Sequence, residues 1–264
     1  MMNKYFLLLT AVLFATNAFA QKAELWHNKK AAVVLTYDDA LSQHLDNAIP
    51  VLDSLGLKAT FYLTASYPGC TERMADWKRA AAKGHELGNH TLFHPCNGGP
   101  GRDWVKGDQD MNFYSVPRMV KEIRMTNAFL EALDGKNKRT FAFPCADTRI
   151  HDTPYINGLK NDLIAARNVR AEIQAIDKID LYNISCFMIS GQSGDEMIAM
   201  VKQAMAANSL IVFLFHGVDG GNSLNVSLPA HRQLLHFLKQ NQKDIWVAPM
   251  LDVAEYVKKY LRSC

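Results

Sequence analysis

The chain has 264 residues, of which 48% are hydrophobic and 21% are charged, and its formal net charge is +3. This composition is typical of a globular protein and excludes a disordered tail, a collagen-like repeat and a coiled coil. A chain of this length can bury a substantial core, either as one large α/β domain or as two small ones. Because no basic run with interleaved aromatic residues is present, we expect no nucleic-acid partner.

Residues 1–20 have the pattern of a secretory signal peptide. Lys4 supplies a positive charge, an apolar run covers residues 5–15, and Ala18-Phe19-Ala20 is a small-x-small cleavage pattern. The apolar run is too short to span a bilayer comfortably, which disfavours a membrane anchor. No cysteine follows the cleavage pattern, which disfavours a lipoprotein. We therefore expect residues 21–264 to be periplasmic or secreted, without stable membrane insertion.

The rest of the chain alternates strand-like and helix-like segments. In chain order the patterns predict a strand at 31–37, a helix at 41–55, a strand at 58–64, a helix at 72–83, a strand at 85–89, a loop at 95–114, a helix at 115–133 and a strand at 140–143. They then predict a helix from 153, an extended segment at 179–189, a helix at 193–207, a strand at 209–215, a loop at 217–227, a helix at 229–241, a strand at 244–248 and a helix at 250–262. Repeated β-then-α units imply parallel strands, so we expect one barrel-like α/β domain.

Polar side chains that could bind metal or transfer protons follow four of the predicted strands. Because sites form at the carboxyl ends of parallel strands, we expect these residues to lie together. They are Asp38 and Asp39, His90 and His94, the segment 144–147, and His216. Two histidines and one carboxylate suit zinc or another divalent metal and leave positions open for water and substrate. The second carboxylate is then available as a base, and His216 as an acid.

The order of these residues resembles the polysaccharide deacetylases with a NodB-homology domain, also called carbohydrate esterase family four. Three motifs carry the resemblance, which runs from Lys30 to Val257. They are Thr36-Tyr37-Asp38-Asp39-Ala40, His90-Thr91-Leu92-Phe93-His94 and Leu214-Phe215-His216. The resemblance implies a single-domain distorted (β/α) barrel that acts on an acetylated polysaccharide or oligosaccharide.

The resemblance also implies a role for each matching residue. Asp38 is expected to be the catalytic base and His216 the general acid. The ligands of one divalent metal ion, with zinc expected, are Asp39, His90 and His94. Two further positions complete the pocket, since Leu214 is expected to line it for the acetyl methyl group and the backbone amide of Cys145 to stabilise the oxyanion.

Two family motifs are altered. The third motif reads Phe141-Ala142-Phe143-Pro144-Cys145, so Ala142 stands where the family has an arginine that holds the catalytic aspartate. Arg139 and Arg149 are the candidates to replace it. The fourth motif, an Asp with a Trp, has no match between residues 165 and 195. Because the missing Asp pairs with the missing Arg in the family, their joint absence suggests a subfamily with different groups around the base.

The activity expected from these residues is metal-assisted hydrolysis of an acetyl group, with an N-acetyl group favoured. An O-acetyl esterase, for instance on xylan, needs the same groups. Hydrolysis of another carbon–nitrogen bond and a non-catalytic glycan-binding role are further alternatives. A mononuclear iron oxygenase also uses two histidines and a carboxylate, but its usual all-β barrel does not fit the predicted elements.

The remaining polar and sulfur-containing residues give weaker expectations. Residues 95–114 follow the second histidine motif and are expected to shape a sugar-binding groove, where Trp104 and Tyr114 either stack on sugar rings or only pin the loop. The family geometry would bring Cys96 close to Cys145, which allows a disulfide, the alternative being two thiols. Surface or capping roles are expected for three histidines, His44, His231 and His236.

Overall fold

The computed structural model describes residues 25–263, so the predicted signal peptide and Cys264 lie outside the described residues. The strands are β1 (Ala31–Asp38), β2 (Thr60–Leu63), β3 (Glu86–Asn89), β4 (Thr140–Ala142), β5 (Arg149–Ile150), β6 (Thr153–Pro154), β7 (Ala165–Arg167), β8 (Phe187–Ile189), β9 (Leu210–Phe215), β10 (Gly217–Val218), β11 (Asn225–Val226) and β12 (Ile245–Val247). The α-helices are α1 (Ile49–Leu55), α2 (Pro68–Thr71), α3 (Met74–Ala82), α4 (Val116–Asp134), α5 (Gly194–Ala206), α6 (Leu228–Gln240) and α7 (Met250–Ser263). Between residues 25 and 263, no helix has the length and apolar character needed to cross a bilayer.

Eight parallel strands form one curled sheet, in the order β7-β4-β3-β2-β1-β9-β8, with β12 also paired to β1. Both β12 and β2 lie on the same side of β1, since β12 pairs with Ala31–Val33 and β2 with Thr36–Asp38. At the other side of the opening, Arg167 of β7 forms a bridge with Ile184, three residues before β8. The sheet is therefore a half-barrel that nearly closes on itself, as the predicted distorted (β/α) barrel requires.

Side chains of β1 alternate between two apolar layers, which places its last residues at the site. Ala32 and Val34 belong to a core inside the barrel, where they meet α7. Val33 and Leu35 belong to the core under the outer helices. Continuing this alternation, Asp38 lies on the inner face at the carboxyl end of the strand. The period-2 pattern thus directs a carboxylate into the barrel mouth.

Several helices begin at the capping residues that the sequence supplies. The Ser115 side chain accepts a hydrogen bond from the amide of Arg118 at the start of α4, and Gly135 ends this helix with φ +73°. Ser193 and Glu196 form the predicted capping box at the start of α5. These helices match their predicted spans to within a few residues.

Four element predictions are wrong or incomplete. The helix predicted from residue 153 is instead a short β5–β6 hairpin followed by a 3₁₀ segment, because Pro154 is extended rather than at the first position of a helix. The extended segment at 179–189 contains regular strand only in β8. The helix predicted at 41–55 begins with a π-helical turn over His44–Ala48. Strand β7 was not predicted, since a three-residue strand leaves too short a pattern to recognise.

Candidate active site

All of the site residues expected from the sequence border one cavity of about 650 Å³ at the carboxyl ends of the strands. They are Asp38, Asp39, His90, His94, Cys145, Leu214 and His216. The remaining lining residues are Tyr67, Trp104, Phe143, Ala146, Val169, Met188, Asn222, Ser223 and Leu224. The cavity therefore combines a polar floor with apolar and aromatic walls, as small-ligand sites usually do.

Asp39, His90 and His94 form a compact set of possible metal ligands. The Asp39 Oδ1 atom lies 3.5 Å from His90 Nε2 and 3.4 Å from His94 Nε2. Among the described residues, Oδ1 of Asp39 is buried and has no hydrogen-bond partner. His90 Nδ1 donates to the Ala142 carbonyl at 2.9 Å, which leaves its Nε2 facing the carboxylate. Two imidazole nitrogens and a carboxylate oxygen on a shared centre fit a divalent ion such as zinc.

The electrostatics of these three residues favour a cation. Burial raises the pKa of Asp39, but the adjacent His90 imidazole outweighs this effect and holds that pKa well below its usual range. Burial lowers the pKa of His94 to about 4, so its imidazole is neutral and free to bind a metal at neutral pH. Burial also disfavours the charged form of His90, yet Asp38 and Asp39 raise its pKa overall. The two carboxylates thus stabilise positive charge at this position.

A second cluster, formed by His94, Cys96 and Cys145, has donor atoms equally close together but is not a metal site of the same kind. Both of its sulfur atoms are joined in a disulfide, with the two Cα atoms 5.8 Å apart. Of the two alternatives left open by the sequence, the structure therefore has the Cys96–Cys145 bridge rather than two thiols. It links the chain just after the candidate ligand His94 to the segment that carries the candidate oxyanion donor.

Arg167 holds Asp38, which contradicts both arginines proposed from the sequence. Its Nη2 donates to Asp38 Oδ2, and both side chains are buried. Arg139 instead pairs with Asp134. Arg149 bonds the carbonyl of Asp152 on the exposed hairpin. Neither of these two residues lines the cavity.

The position of Arg167 explains how Ala142 is tolerated in the third motif. Strands β4 and β7 are neighbours, and Ala142 and Arg167 are directly paired across them. The guanidinium lies 5.2 Å from the Tyr62 ring and its Nη1 lies 3.4 Å from Cys186 Sγ. The missing arginine is therefore supplied one strand further along the sheet. The sequence signal that could have identified Arg167 is its position directly after the apolar run 163–166.

Two histidines expected at the surface are buried, and their assignment was wrong. His44 donates from Nε2 to the backbone carbonyl of His216 at 2.7 Å. His231 is hydrogen-bonded through Nε2 to the Tyr37 hydroxyl, also at 2.7 Å. Burial lowers the pKa of His44 to about 4 and that of His231 to about 3, so both are neutral core residues. The third histidine, His236, is exposed as expected.

The two aromatic residues of the loop at 95–114 that were considered for sugar stacking differ in their surroundings. Trp104 is 63% exposed and lines the cavity. Tyr114 is buried, and its hydroxyl donates to Glu122 at 3.1 Å. Glu122 also accepts hydrogen bonds from the amides of Leu92 and Phe93, so it supports the turn between the two ligand histidines. Tyr114 therefore pins the loop, whereas Trp104 remains available to substrate.

Several residues around the cavity have left-handed backbone conformations that non-glycine residues rarely adopt. The φ angles are +80° for Asp39, +67° for Thr91, +55° for His94 and +54° for Cys145. Such conformations cost about 1–3 kcal/mol each and persist where the surroundings impose them. These conformations are concentrated in the segments of the predicted motifs, which indicates that they orient the motif side chains and amides at the cavity.

A sequence model of the family described as "Polysaccharide deacetylase" matches residues 27–159, which is half of the chain. The chain belongs to this family. The matched range contains the first two predicted motifs and the altered third motif. A curated relative, the uncharacterized protein YlxY of Bacillus subtilis (strain 168), is 28% identical over 108 residues, which are 41% of this chain and 29% of that protein. The chain thus matches less than a third of the length of that relative.

Solved structures show the same fold at low sequence identity. A putative polysaccharide deacetylase from Mycobacterium smegmatis superposes with a TM-score of 0.63 at 13% identity, covering 88% of this chain and 91% of that one. BA3943 from Bacillus anthracis, described as a CE4 family pseudoenzyme, superposes with a TM-score of 0.53 at 16% identity, covering 86% of this chain and 66% of that one. The NodB-type distorted (β/α) barrel is therefore confirmed, and this fold occurs both in deacetylases and in a pseudoenzyme.

Proposed function

We propose that the protein is an exported, zinc-dependent hydrolase that removes acetyl groups, N-acetyl groups first, from an acetylated polysaccharide or its oligosaccharides. The observation that carries this proposal is the ligand set of Asp39, His90 and His94 beside an Asp38 carboxylate held by Arg167. The pattern of residues 1–20 supports export. Residues 21–264 are proposed to form one catalytic domain.

Asp39, His90 and His94 are proposed to hold the metal ion. When bound there, zinc lowers the pKa of a water molecule and polarises the acetyl carbonyl. The hydrogen bond from His90 Nδ1 to the Ala142 carbonyl fixes the ring so that Nε2 points to the site. The backbone conformation of His94, together with the bond from its amide to Thr91 Oγ1 at 2.9 Å, places the second imidazole beside the first.

Asp38 is proposed to accept the proton of the attacking water. Arg167 occupies its Oδ2, while Oδ1 has no hydrogen-bond partner among the described residues. One oxygen is therefore held in place and the other is available as an acceptor. His90 Nε2 is 3.7 Å from Oδ2, so the proposed base lies beside the proposed metal ligands. A positioned carboxylate of this kind contributes typically a hundredfold or more to a rate.

His216 is proposed to protonate the leaving amine or alcohol. It directly follows β9, and His44 fixes its backbone carbonyl through a hydrogen bond. Leu214 points to the inside of the barrel from the same strand and is proposed to contact the acetyl methyl group. The backbone amide of Cys145 is proposed to donate to the tetrahedral oxyanion, a role that needs no particular side chain.

The Arg167–Asp38 pair favours an enzyme over a non-catalytic glycan-binding protein. A buried ion pair costs desolvation energy and is a weak contributor to stability, so stability alone does not explain it. Arg167 binds only Oδ2 of Asp38 and leaves Oδ1 as a free acceptor, which fits a catalytic base. An O-acetyl esterase would use the same groups, and only the substrate separates the two activities.

Acetate release from matched N-acetylated and O-acetylated glycans tests the proposal. We expect the purified protein to release acetate from chitooligosaccharides faster than from acetylated xylan. A chelator should abolish release from both, and added zinc should restore it. Preference for acetylated xylan would replace the N-acetyl assignment with the esterase. No acetate release from any glycan, with zinc supplied, would contradict the deacetylase proposal.

A further inference from the structure

The segment that carries the proposed oxyanion donor is locally strained. Two consecutive non-glycine residues, Cys145 and Ala146, have left-handed φ angles of +54° and +60°. Each costs about 1–3 kcal/mol relative to an ordinary conformation, so the segment needs contacts from elsewhere to stay in place. Several of those contacts come from residues 96–102, at the start of the loop beside the cavity, and the Tyr155 hydroxyl adds a hydrogen bond to the Asp147 carbonyl.

Arg102 connects this loop to the strained segment. Its Nη2 donates to the carbonyl oxygen of Cys145 at 3.1 Å, and its Nη1 forms an ion pair with Asp147. The same Asp147 carboxylate accepts a hydrogen bond from the amide of Asn97 at 2.8 Å. The guanidinium fork therefore binds a carbonyl and a carboxylate two residues apart on the opposite segment, an arrangement that a lysine ammonium cannot reproduce with the same geometry.

Cys145 is consequently held at two points. Its side chain is tied to Cys96 by the disulfide, and its carbonyl is tied to Arg102. The bonds around a Cα atom have nearly fixed angles. Fixing the Cβ and carbonyl directions therefore also fixes the position of the amide nitrogen, and the φ angle of +54° then sets the direction of its N–H bond. Neither contact alone would fix the rotation of the residue.

We propose that Arg102 is a positioning residue that aims the Cys145 amide at the oxyanion. This inference rests on the proposed function, because it assumes that an oxyanion forms at the metal site. Arg102 touches the backbone of the donor and stabilises the transition state through it. Loss of its fork should leave substrate binding intact and weaken only the interaction with the tetrahedral species.

The test compares Arg102→Lys and Arg102→Gln with the matched control Arg124→Lys. Arg124 has the same kind of contacts, to the Asp162 carboxylate at 3.0 Å and the Gly158 carbonyl at 3.3 Å, but neither of these partners lines the cavity, whereas Cys145 does. We expect both Arg102 variants to lower kcat at least about tenfold with KM within about twofold, since misplacing a catalytic group costs one to two orders of magnitude. Arg124→Lys should match the wild type.

A methylphosphonate ester of the sugar, which mimics the tetrahedral species, adds a second measurement. Its inhibition constant should rise by the factor by which kcat/KM falls, while inhibition by acetate stays unchanged. A raised KM with unchanged kcat would overturn the inference, because Arg102 would then bind substrate directly. Unchanged kcat in both Arg102 variants would also overturn it.

Amide hydrogen exchange on the metal-free protein separates this inference from the proposed function. Peptides containing residues 145–147 should exchange faster in both Arg102 variants than in the wild type or in Arg124→Lys. Unchanged exchange would overturn the positioning role. A wild-type protein without acetate release, but with the expected exchange difference, would contradict the deacetylase proposal and the oxyanion role, while leaving the Arg102 contact itself supported.

Discussion

Arg167 at the end of β7 donates a hydrogen bond to Asp38 at the end of β1, and both side chains are buried. Strand β7 is at one edge of the sheet and β1 is near its middle, so the pair crosses the open barrel mouth. The residue paired with Arg167 on the adjacent strand is Ala142, where the family places its arginine. The arginine that pairs with Asp38 is thus supplied by β7 instead of β4. It keeps the Asp38 carboxylate oriented although the third motif lacks its arginine.

Replacing Arg167 by Met should affect both stability and turnover. The change leaves the Asp38 carboxylate buried without its partner, which costs about 3–5 kcal/mol of unfolding free energy. The carboxylate also loses its fixed orientation, so we expect acetate release to fall at least about tenfold. Urea unfolding and initial rates of acetate release, measured on the same preparation, check both effects.

Arg139→Met is the matched control for Arg167→Met. It also breaks a buried ion pair, but its partner Asp134 does not line the cavity, whereas Asp38, the partner of Arg167, does. It should lose comparable stability and keep its turnover number at a temperature where it is folded. Equal loss of turnover in both variants would show that Arg167 acts through stability alone.

Trp104 should contribute to binding long substrates. It is 63% exposed on the cavity rim, where stacking on a sugar ring is worth about 1 kcal/mol. We expect Trp104→Ala to raise KM for oligosaccharides about fivefold and to leave KM for a small acetyl ester unchanged. Phe113, which is 75% exposed but does not line the cavity, provides the control Phe113→Ala. Equal effects of Trp104→Ala on both substrates would reject the groove role.

Reduction of the Cys96–Cys145 disulfide should lower stability and turnover together. The bridge closes a loop over a sequence separation of 49 residues, so its loss should cost about 2–4 kcal/mol. It also releases one of the two ties on Cys145. Treatment with a phosphine reductant, followed by thiol counting, thermal unfolding and acetate release, measures this. A Cys96→Ala/Cys145→Ala variant should not respond to the reductant, whereas an unchanged unfolding temperature in the reduced wild type would contradict the account.

Acid should destabilise the fold through its buried neutral histidines. Burial lowers the pKa of His231 to about 3, compared with about 6.5 in the unfolded chain. Between these values the unfolded state binds a proton that the folded state does not, so the unfolding free energy falls as pH decreases. The contribution is present above about pH 6.5 and declines by about 1.4 kcal/mol per pH unit below it.

His231→Gln tests this contribution, since glutamine can still bond the Tyr37 hydroxyl but does not titrate. Its unfolding free energy should depend less steeply on pH between about 4.5 and 6. The control is His236→Gln, on the exposed face of the same helix, which should retain the wild-type slope. Identical slopes in all three proteins would contradict the assignment.

The sequence was most informative where a clear strand pattern is followed directly by a residue suited to metal binding or proton transfer. The apolar run at 31–37 predicted both the buried strand β1 and the location of Asp38 and Asp39 at its end. The same holds for β9, which is a continuous apolar run, and for His216, which directly follows it. Parallel strands bring such ends together in any barrel of this kind, so the residues of the cavity could be predicted without coordinates.

The sequence was least informative where a role depends on packing between distant segments. Arg167 closes a three-residue strand, and only the pairing of β7 with β4 shows that it lies near Asp38. His44 and His231 are buried because the helical segments that carry them direct these side chains to the His216 carbonyl and the Tyr37 hydroxyl, contacts that the local sequence does not reveal. Tyr114 likewise faces Glu122 rather than solvent, a contact between the loop and α4 that no local pattern encodes.

The central claim is that Asp38 is the base beside a metal held by other residues. Asp38→Asn tests it most directly, with zinc content and acetate release measured on the same sample. The amide oxygen can still accept the Arg167 hydrogen bond, but it cannot take a proton from water. We expect wild-type zinc content with turnover reduced about a hundredfold or more. Loss of zinc in proportion to activity would make Asp38 a metal ligand, and wild-type turnover would show that it is not the base.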